Sequence, residues 1–234
     1  MIETGTLRVG MDAGFPPFEF VAADGALVGF DVDLARELGR RLGVEVQFVA
    51  NLPYDGLYDA LTAHRVDVVI SALVVNPARL ADFAYSIPYF DAGQVLVAPA
   101  GEAGIEGRAD MGGRTLAVEF GARGDMEARK WGRRMADLTI APHQTAAGAL
   151  AAVAAGEADG ALVDHVSALA AIEAGSRLVI VGSSVVEEPY AVAVRQESQR
   201  LLQAINEALA AMEADGTMDA LLEQWMGTSG DQSP

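Results

Sequence analysis

Short apolar runs of strand length alternate with stretches of helical periodicity along almost the whole chain. That alternation implies an α/β fold with mainly parallel sheets, because parallel neighbours are joined by crossovers long enough to form a helix. Leu7 to Met11 reads as the first strand. Asp31 is expected to cap a helix whose apolar positions Val32, Leu34, Ala35, Leu38 and Leu42 share one face, and Gly43 ends it. Val44 to Val49 follows as a strand, then a helix from about Asp55 to Ala63, a strand from Val66 to Ile70, and a short helix opening at Pro77. After Pro99 a second round begins, with strands Thr115 to Val118, Leu138 to Ala141, Gly160 to Val163 and Leu178 to Val181, and helices near 124–135, 145–155 and 165–174. Tyr190 to Val194 reads as a further strand, and two helices follow, Ser198 to Ala214 and Thr217 to Met226, with Ser198 and Thr217 as N-caps and Gly227 as the stop. The small, polar tail from Thr228 to Pro234 is expected to fray.

A chain of 234 residues can bury one large core or two modest ones. Its net charge of -17 repels phosphate backbones and anionic lipid, which argues against a nucleic-acid or membrane-surface partner and favours the approach of a cationic solute. No apolar run reaches the roughly 20 residues of a membrane-spanning helix. There is no cysteine, which removes disulfides, thiol nucleophiles and thiolate metal sites. Met1 to Gly5 leads almost directly into the first strand with no targeting segment, as expected of a processed form carrying an added start Met, although a cytoplasmic chain would look the same.

Five blocks occur in a characteristic order: Leu7 to Phe20 (LRVGMDAGFPPFEF), Gly29 to Val46 (GFDVDLARELGRRLGVEV), Asp55 to Leu61 (DGLYDAL), Arg65 to Arg79 (RVDVVISALVVNPAR) and Tyr85 to Val97 (YSIPYFDAGQVLV). Each resembles its counterpart in the polar amino-acid branch of the bacterial extracellular solute-binding proteins, the receptors that feed ABC importers. The resemblance extends to Trp225-Met226-Gly227. It implies a two-lobed periplasmic-binding-protein fold of type II, each lobe a mainly parallel sheet flanked by helices. Residues 1–91 plus 190–234 would form the first, discontinuous lobe and residues 92–189 the second, joined by two hinge strands. It also implies a monomer, in the periplasm or outside the cell and open to lipid anchoring, that captures an amino acid in a cleft between lobes and closes for transient delivery to a membrane permease.

The same resemblance assigns a ligand site. Arg79 matches the residue that grips the α-carboxylate, for which a planar guanidinium fork is suited, and Asp164 the residue that accepts the α-ammonium. Phe15 and Tyr54 match aromatic walls, whose faces also attract cations. Asp12 and Glu119 match positions facing the distal end of the ligand, so two carboxylates there favour a cationic amino acid over a neutral polar one. Arg123, in the same loop as Glu119, either neutralises it in a salt bridge or turns inward to receive a carboxylate or amide. Ala72 and Val74 fall in the anion-binding turn and Ala122 in the following loop. Val74 and Ala122 replace hydroxyl residues usual in the family, which weakens binding or points to a different head group. Taken singly, Arg79 reads as a surface charge and Asp164 as a helix N-cap more readily than as ligand contacts, and Phe18, Phe20 and Phe30 read as core.

Catalysis finds little support. His64, His143 and His165 lack metal-ligand spacing, no G-x-S-x-G is present, and neither a Walker sequence nor G-x-G-x-x-G follows a strand, so no metal or cofactor is expected. Two alternatives stay open: a dehydratase on the same fold acting on a small carboxylated ring, with Glu119 as proton donor, and a sensor domain of a larger receptor.

Overall fold

A computed structural model describes residues 5–101 and 104–227. Among the described residues two compact units emerge, one formed by residues 5–90 with 189–225 and the other by residues 91–101 and 104–188 with 226–227. The predicted tail from Thr228 to Pro234 lies outside the described residues.

The chain opens with β1 (Thr6–Gly10), followed by three short strands that make a small antiparallel sheet, β2 (Gly14–Phe15), β3 (Glu19–Val21) and β4 (Leu27–Val28). Helix α1 (Phe30–Leu42) buries Val32, Leu34, Ala35 and Leu38 and ends at Gly43, whose φ of 69° is the left-handed conformation that glycine adopts without penalty. Its N-cap is Gly29, with no side-chain cap bond, so Asp31 is not the cap. The chain enters α1 too close to Phe18 for any other residue: a Cβ on Gly29 would lie 2.1 Å from the Phe18 carbonyl oxygen. Asp31 is instead turned into the interior.

Next come β5 (Glu45–Val49), a 3-10 turn at Tyr54–Gly56, α2 (Leu57–Thr62), β6 (Val68–Val69), a 3-10 turn at Pro77–Arg79, β7 (Phe83–Tyr85) and β8 (Phe90–Asp91). The turn at Pro77 is too short to be an α-helix; Asn76 caps it by accepting from the Ala78 N–H at 3.0 Å.

The second unit contains β9 (Gln94–Pro99), β10 (Thr115–Glu119), α3 (Arg123–Gly132), β11 (Thr139–His143), α4 (Ala146–Ala154), β12 (Gly160–Asp164), α5 (His165–Glu173) and β13 (Leu178–Val186). Its five strands are ordered β11-β10-β12-β9-β13. Alternate residues point to opposite faces of a strand. Val95, Val97, Ala117, Ala161 and Val163 pack with α4 and α5, while Leu96, Ala98, Leu116, Val118 and Leu162 pack with Ala128 and Trp131 of α3.

The chain then returns through β14 (Pro189–Tyr190) and β15 (Ala193–Arg195) to α6 (Gln199–Ala214) and α7 (Thr217–Met226). The first unit's large sheet runs β5-β1-β6-β15-β7, parallel between β5, β1 and β6 and antiparallel around β15. The single strand expected from Tyr190 to Val194 is thus two, because Pro189–Tyr190 pairs with β8 before the chain joins the large sheet. Ser198 occupies the N-cap of α6 but makes no side-chain cap bond. At α7 the side chain of Asp215, not Thr217, accepts from the Thr217 N–H at 3.1 Å.

Candidate ligand-binding site

In open α/β sheets, ligands bind beyond the carboxyl ends of the strands. In the first unit, the residues just past β1 and β6 converge there on a cavity of about 380 Å3, lined by Asp12, Phe15, Glu19, Tyr54, Ala72 and Val74 with Gly14, Ser71 and Tyr190. This size lies within the usual range for small-molecule sites, about 300–1,000 Å3. The cavity thus unites five of the residues singled out from sequence: Asp12, Phe15, Tyr54, Ala72 and Val74.

Asp12 follows β1, and its Oδ2 accepts from the Tyr54 N–H at 3.0 Å, fixing both the carboxylate and the start of the 3-10 turn that carries the Tyr54 ring. Phe15 stacks on buried Phe18 with ring centroids 5.6 Å apart, yet remains 44% exposed, and Tyr54 is 46% exposed. Large aromatic surface left open beside a cavity is available to a ligand. Phe18 and Phe30 are fully buried, and Phe20 meets Trp225 edge to face, so all three belong to packing.

Val74 bridges Tyr190. The flanking bonds, Val75 N–H to the Pro189 carbonyl and Ala191 N–H to the Leu73 carbonyl, are each 3.0 Å. Val74 and Tyr190 are therefore a non-hydrogen-bonded pair, so the N–H of Val74 points away from the partner strand. Ala72 has a φ of 45°, uncommon for a residue with a Cβ. Its N–H donates to Asp31 Oδ2 at 2.6 Å.

Beneath this turn lie two buried carboxyls that sequence reasoning did not single out. Ser71 Oγ donates to Glu19 Oε1 at 2.8 Å and accepts from the Asp12 N–H at 3.0 Å, while Tyr89 Oη donates to Asp31 Oδ2 at 3.0 Å. Burial pushes the Glu19 carboxyl far above the usual range, and the neighbouring Asp31 adds to the effect. Burial raises Asp31 as well, only partly offset by its bonds from Ala72 N–H, Glu19 and Tyr89. The available signal was an acidic residue in each of Phe18-Glu19-Phe20 and Gly29-Phe30-Asp31, of which only Asp31 carries an expectation, as a cap.

Arg79 does not line this cavity. Its guanidinium sits 5.1 Å from the centroid of the Tyr58 ring, and it borders a separate polar depression with Asp59, His64 and Asp82. The side chain makes no ion pair among the described residues.

In the second unit, β10 and β12 are parallel neighbours with Val118 opposite Leu162, so Glu119 and Asp164 lie at the same sheet edge, where α3 and α5 begin. Asp164 is the N-cap of α5: its Oδ1 accepts from the Ser167 N–H at 2.8 Å. A cap uses one oxygen and leaves the second for another donor. Ala122 is the N-cap of α3 and, lacking an acceptor, makes no side-chain cap bond. Arg123, the first residue of α3, pairs with Glu188, so the salt bridge to Glu119, one of the two alternatives for this residue, is not formed. The loop before α3 is held by Asp125, whose Oδ2 accepts from the Gly121 N–H at 3.0 Å. Gly124 packs so tightly that a Cβ would lie 2.3 Å from the Leu162 carbonyl oxygen. His165 Nδ1 is 2.7 Å from the Asp91 carbonyl oxygen. Among the described residues no His, Asp or Glu group is arranged to hold a metal ion.

Residues 7–228 match the bacterial extracellular solute-binding proteins, family 3. The chain is 32% identical over 228 residues to the L-cystine-binding protein TcyJ of Escherichia coli (strain K12), covering 96% of this chain and 84% of that protein. It is 30% identical over 229 residues to the lysine/arginine/ornithine-binding periplasmic protein of the same organism, covering 94% and 87%. Among solved structures, the L-cystine solute receptor of Neisseria gonorrhoeae in its unliganded open conformation superposes with a TM-score of 0.82 at 27% identity, covering 96% of this chain and 94% of that one. The chain belongs to the bacterial extracellular solute-binding proteins, family 3.

Proposed function

We propose that the protein is a periplasmic or extracellular receptor that binds an amino acid and delivers it to an ABC importer, with a cationic side chain preferred over a neutral polar one. The observation that carries this reading is the cavity beyond β1 and β6, with two half-exposed aromatic rings and a fixed Asp12 carboxylate. Its relatives named for cystine and for lysine, arginine and ornithine support an amino acid without choosing its class. The preference for a cation rests on charge. Arg123 is engaged by Glu188, which leaves Glu119 without a cationic partner among the described residues, and the chain carries -17 overall.

In this reading Arg79, which does not line the cavity in this structure, turns toward it to hold the α-carboxylate with the N–H of Val74, and Asp164 takes the α-ammonium with the oxygen not used as a cap. A ligand that touches groups of both units favours whichever arrangement lets it touch both, which is how binding becomes a signal for the importer. No bond is made or broken. Titration calorimetry with L-arginine, L-cystine and L-glutamine tests the reading: saturable binding with recovery of unaltered ligand supports it, whereas consumption of the ligand would assign an enzyme instead.

A further inference from the structure

Glu19, on β3, and Asp31, in the first turn of α1, are 1% and 0% exposed; Glu19 lines the cavity and Asp31 is bonded to Ala72, which also lines it. One oxygen of each is accounted for: Glu19 Oε1 by Ser71, and Asp31 Oδ2 by Ala72 N–H and Tyr89 Oη. The other two, Glu19 Oε2 and Asp31 Oδ1, are buried and receive no donor from any other described residue. Buried carboxylate oxygens without a partner are strongly disfavoured. The two side chains are nonetheless close enough to act on each other directly, and two ionised carboxylates would have no hydrogen to share.

The charged and titratable groups facing the pair sharpen the point. They are Asp12 from the end of β1 and Tyr89 from the segment before β8, neither of them cationic, and neither carboxyl forms an ion pair with Lys, Arg or His among the described residues. Asp31 receives two donors and Glu19 only the Ser71 hydroxyl, so the negative charge is better solvated on Asp31 and the proton belongs on Glu19.

We propose that Glu19 and Asp31 share a single proton, donated from Glu19 Oε2 to Asp31 Oδ1, and that this pair is the positioning device for the ligand-facing Ser71–Ala72 turn. Glu19 anchors the Ser71 hydroxyl, which in turn receives the N–H of Asp12; Asp31 anchors the N–H of Ala72 and so offsets its left-handed backbone. The shared proton stands on the geometry of the first unit alone, while its role in positioning rests on the amino-acid receptor reading given above.

The test is infrared difference spectroscopy on the ligand-free protein at neutral pH, with L-arginine titrations alongside. The carbonyl stretch of a protonated carboxyl is expected in the native protein and is lost in Glu19→Gln. Glu19→Ala is expected to weaken L-arginine binding at least tenfold, and Glu19→Gln, whose amide still donates toward Asp31, to recover most of that loss. Absence of the band in the native protein overturns the shared proton, even if Glu19→Ala fails to fold. A folded Glu19→Ala variant that binds as tightly as the native protein overturns the positioning role. If no amino acid binds the native protein while the band is present, the receptor reading and the positioning role fall together and the shared proton stands.

Discussion

Arg79 is a guanidinium lying over a tyrosine ring and in no ion pair among the described residues, an arrangement that keeps the cation available at modest cost. If it grips the α-carboxylate, Arg79→Ala weakens amino-acid binding at least about tenfold, since a hydrogen bond to a charged group is worth about 1.5–3 kcal/mol. Thermal stability changes little, because the side chain is exposed. Glu119 sets a separate expectation: Glu119→Gln costs more affinity for L-arginine than for L-glutamine, and equal losses in paired titrations would remove the argument for a cationic ligand. At this scale the sequence was legible where a residue's role is local. Asp12, Phe15 and Tyr54, singled out from their motifs, line one cavity. Asp31 was misread as a cap because its true partners, Ala72 and Tyr89, lie 41 and 58 residues away. The pairing of Arg123 with Glu188, 65 residues on, was hidden for the same reason.

The elements that carry the cavity are set by close approaches rather than by helix propensity. Gly29 permits the small sheet of β2, β3 and β4 to sit against the start of α1, which delivers Glu19 and Asp31 to one place. Gly29→Ala combines a 2.1 Å clash with a φ of 134°, and it is expected to destabilise the protein by at least about 2 kcal/mol in chemical denaturation. The long apolar runs and α1 were readable from periodicity. The two- and three-residue strands were not, because they are too short for a period to appear, and β9 was not read as a strand although it pairs with both β12 and β13. The predicted strand at Tyr190 to Val194 failed where one run of sequence serves two sheets.

For the whole molecule, pH offers a signature with a definite sign. Folding keeps Glu19 protonated above its ordinary value of 4.5, up to about 10. The folded protein therefore binds a proton that the unfolded chain has released, and this contribution to stability is lost as pH rises across that interval. Asp215 acts in the opposite direction: bonds from Thr217 and Arg41 lower it to about 2, so its contribution is lost only as the solution is acidified toward that value. Thermal melts from pH 6 to pH 9 are expected to show a decline in the native protein that is shallower in Glu19→Gln. The -17 charge adds self-repulsion at high pH to both proteins alike, so the difference between them isolates Glu19.

The most direct measurement of the receptor account is calorimetric titration of the native protein and Arg79→Ala with L-arginine. Saturable binding by the native protein, at least about tenfold weaker in the variant, is the result the account predicts. Equal affinity in the two proteins, or no heat from any amino acid, would contradict it.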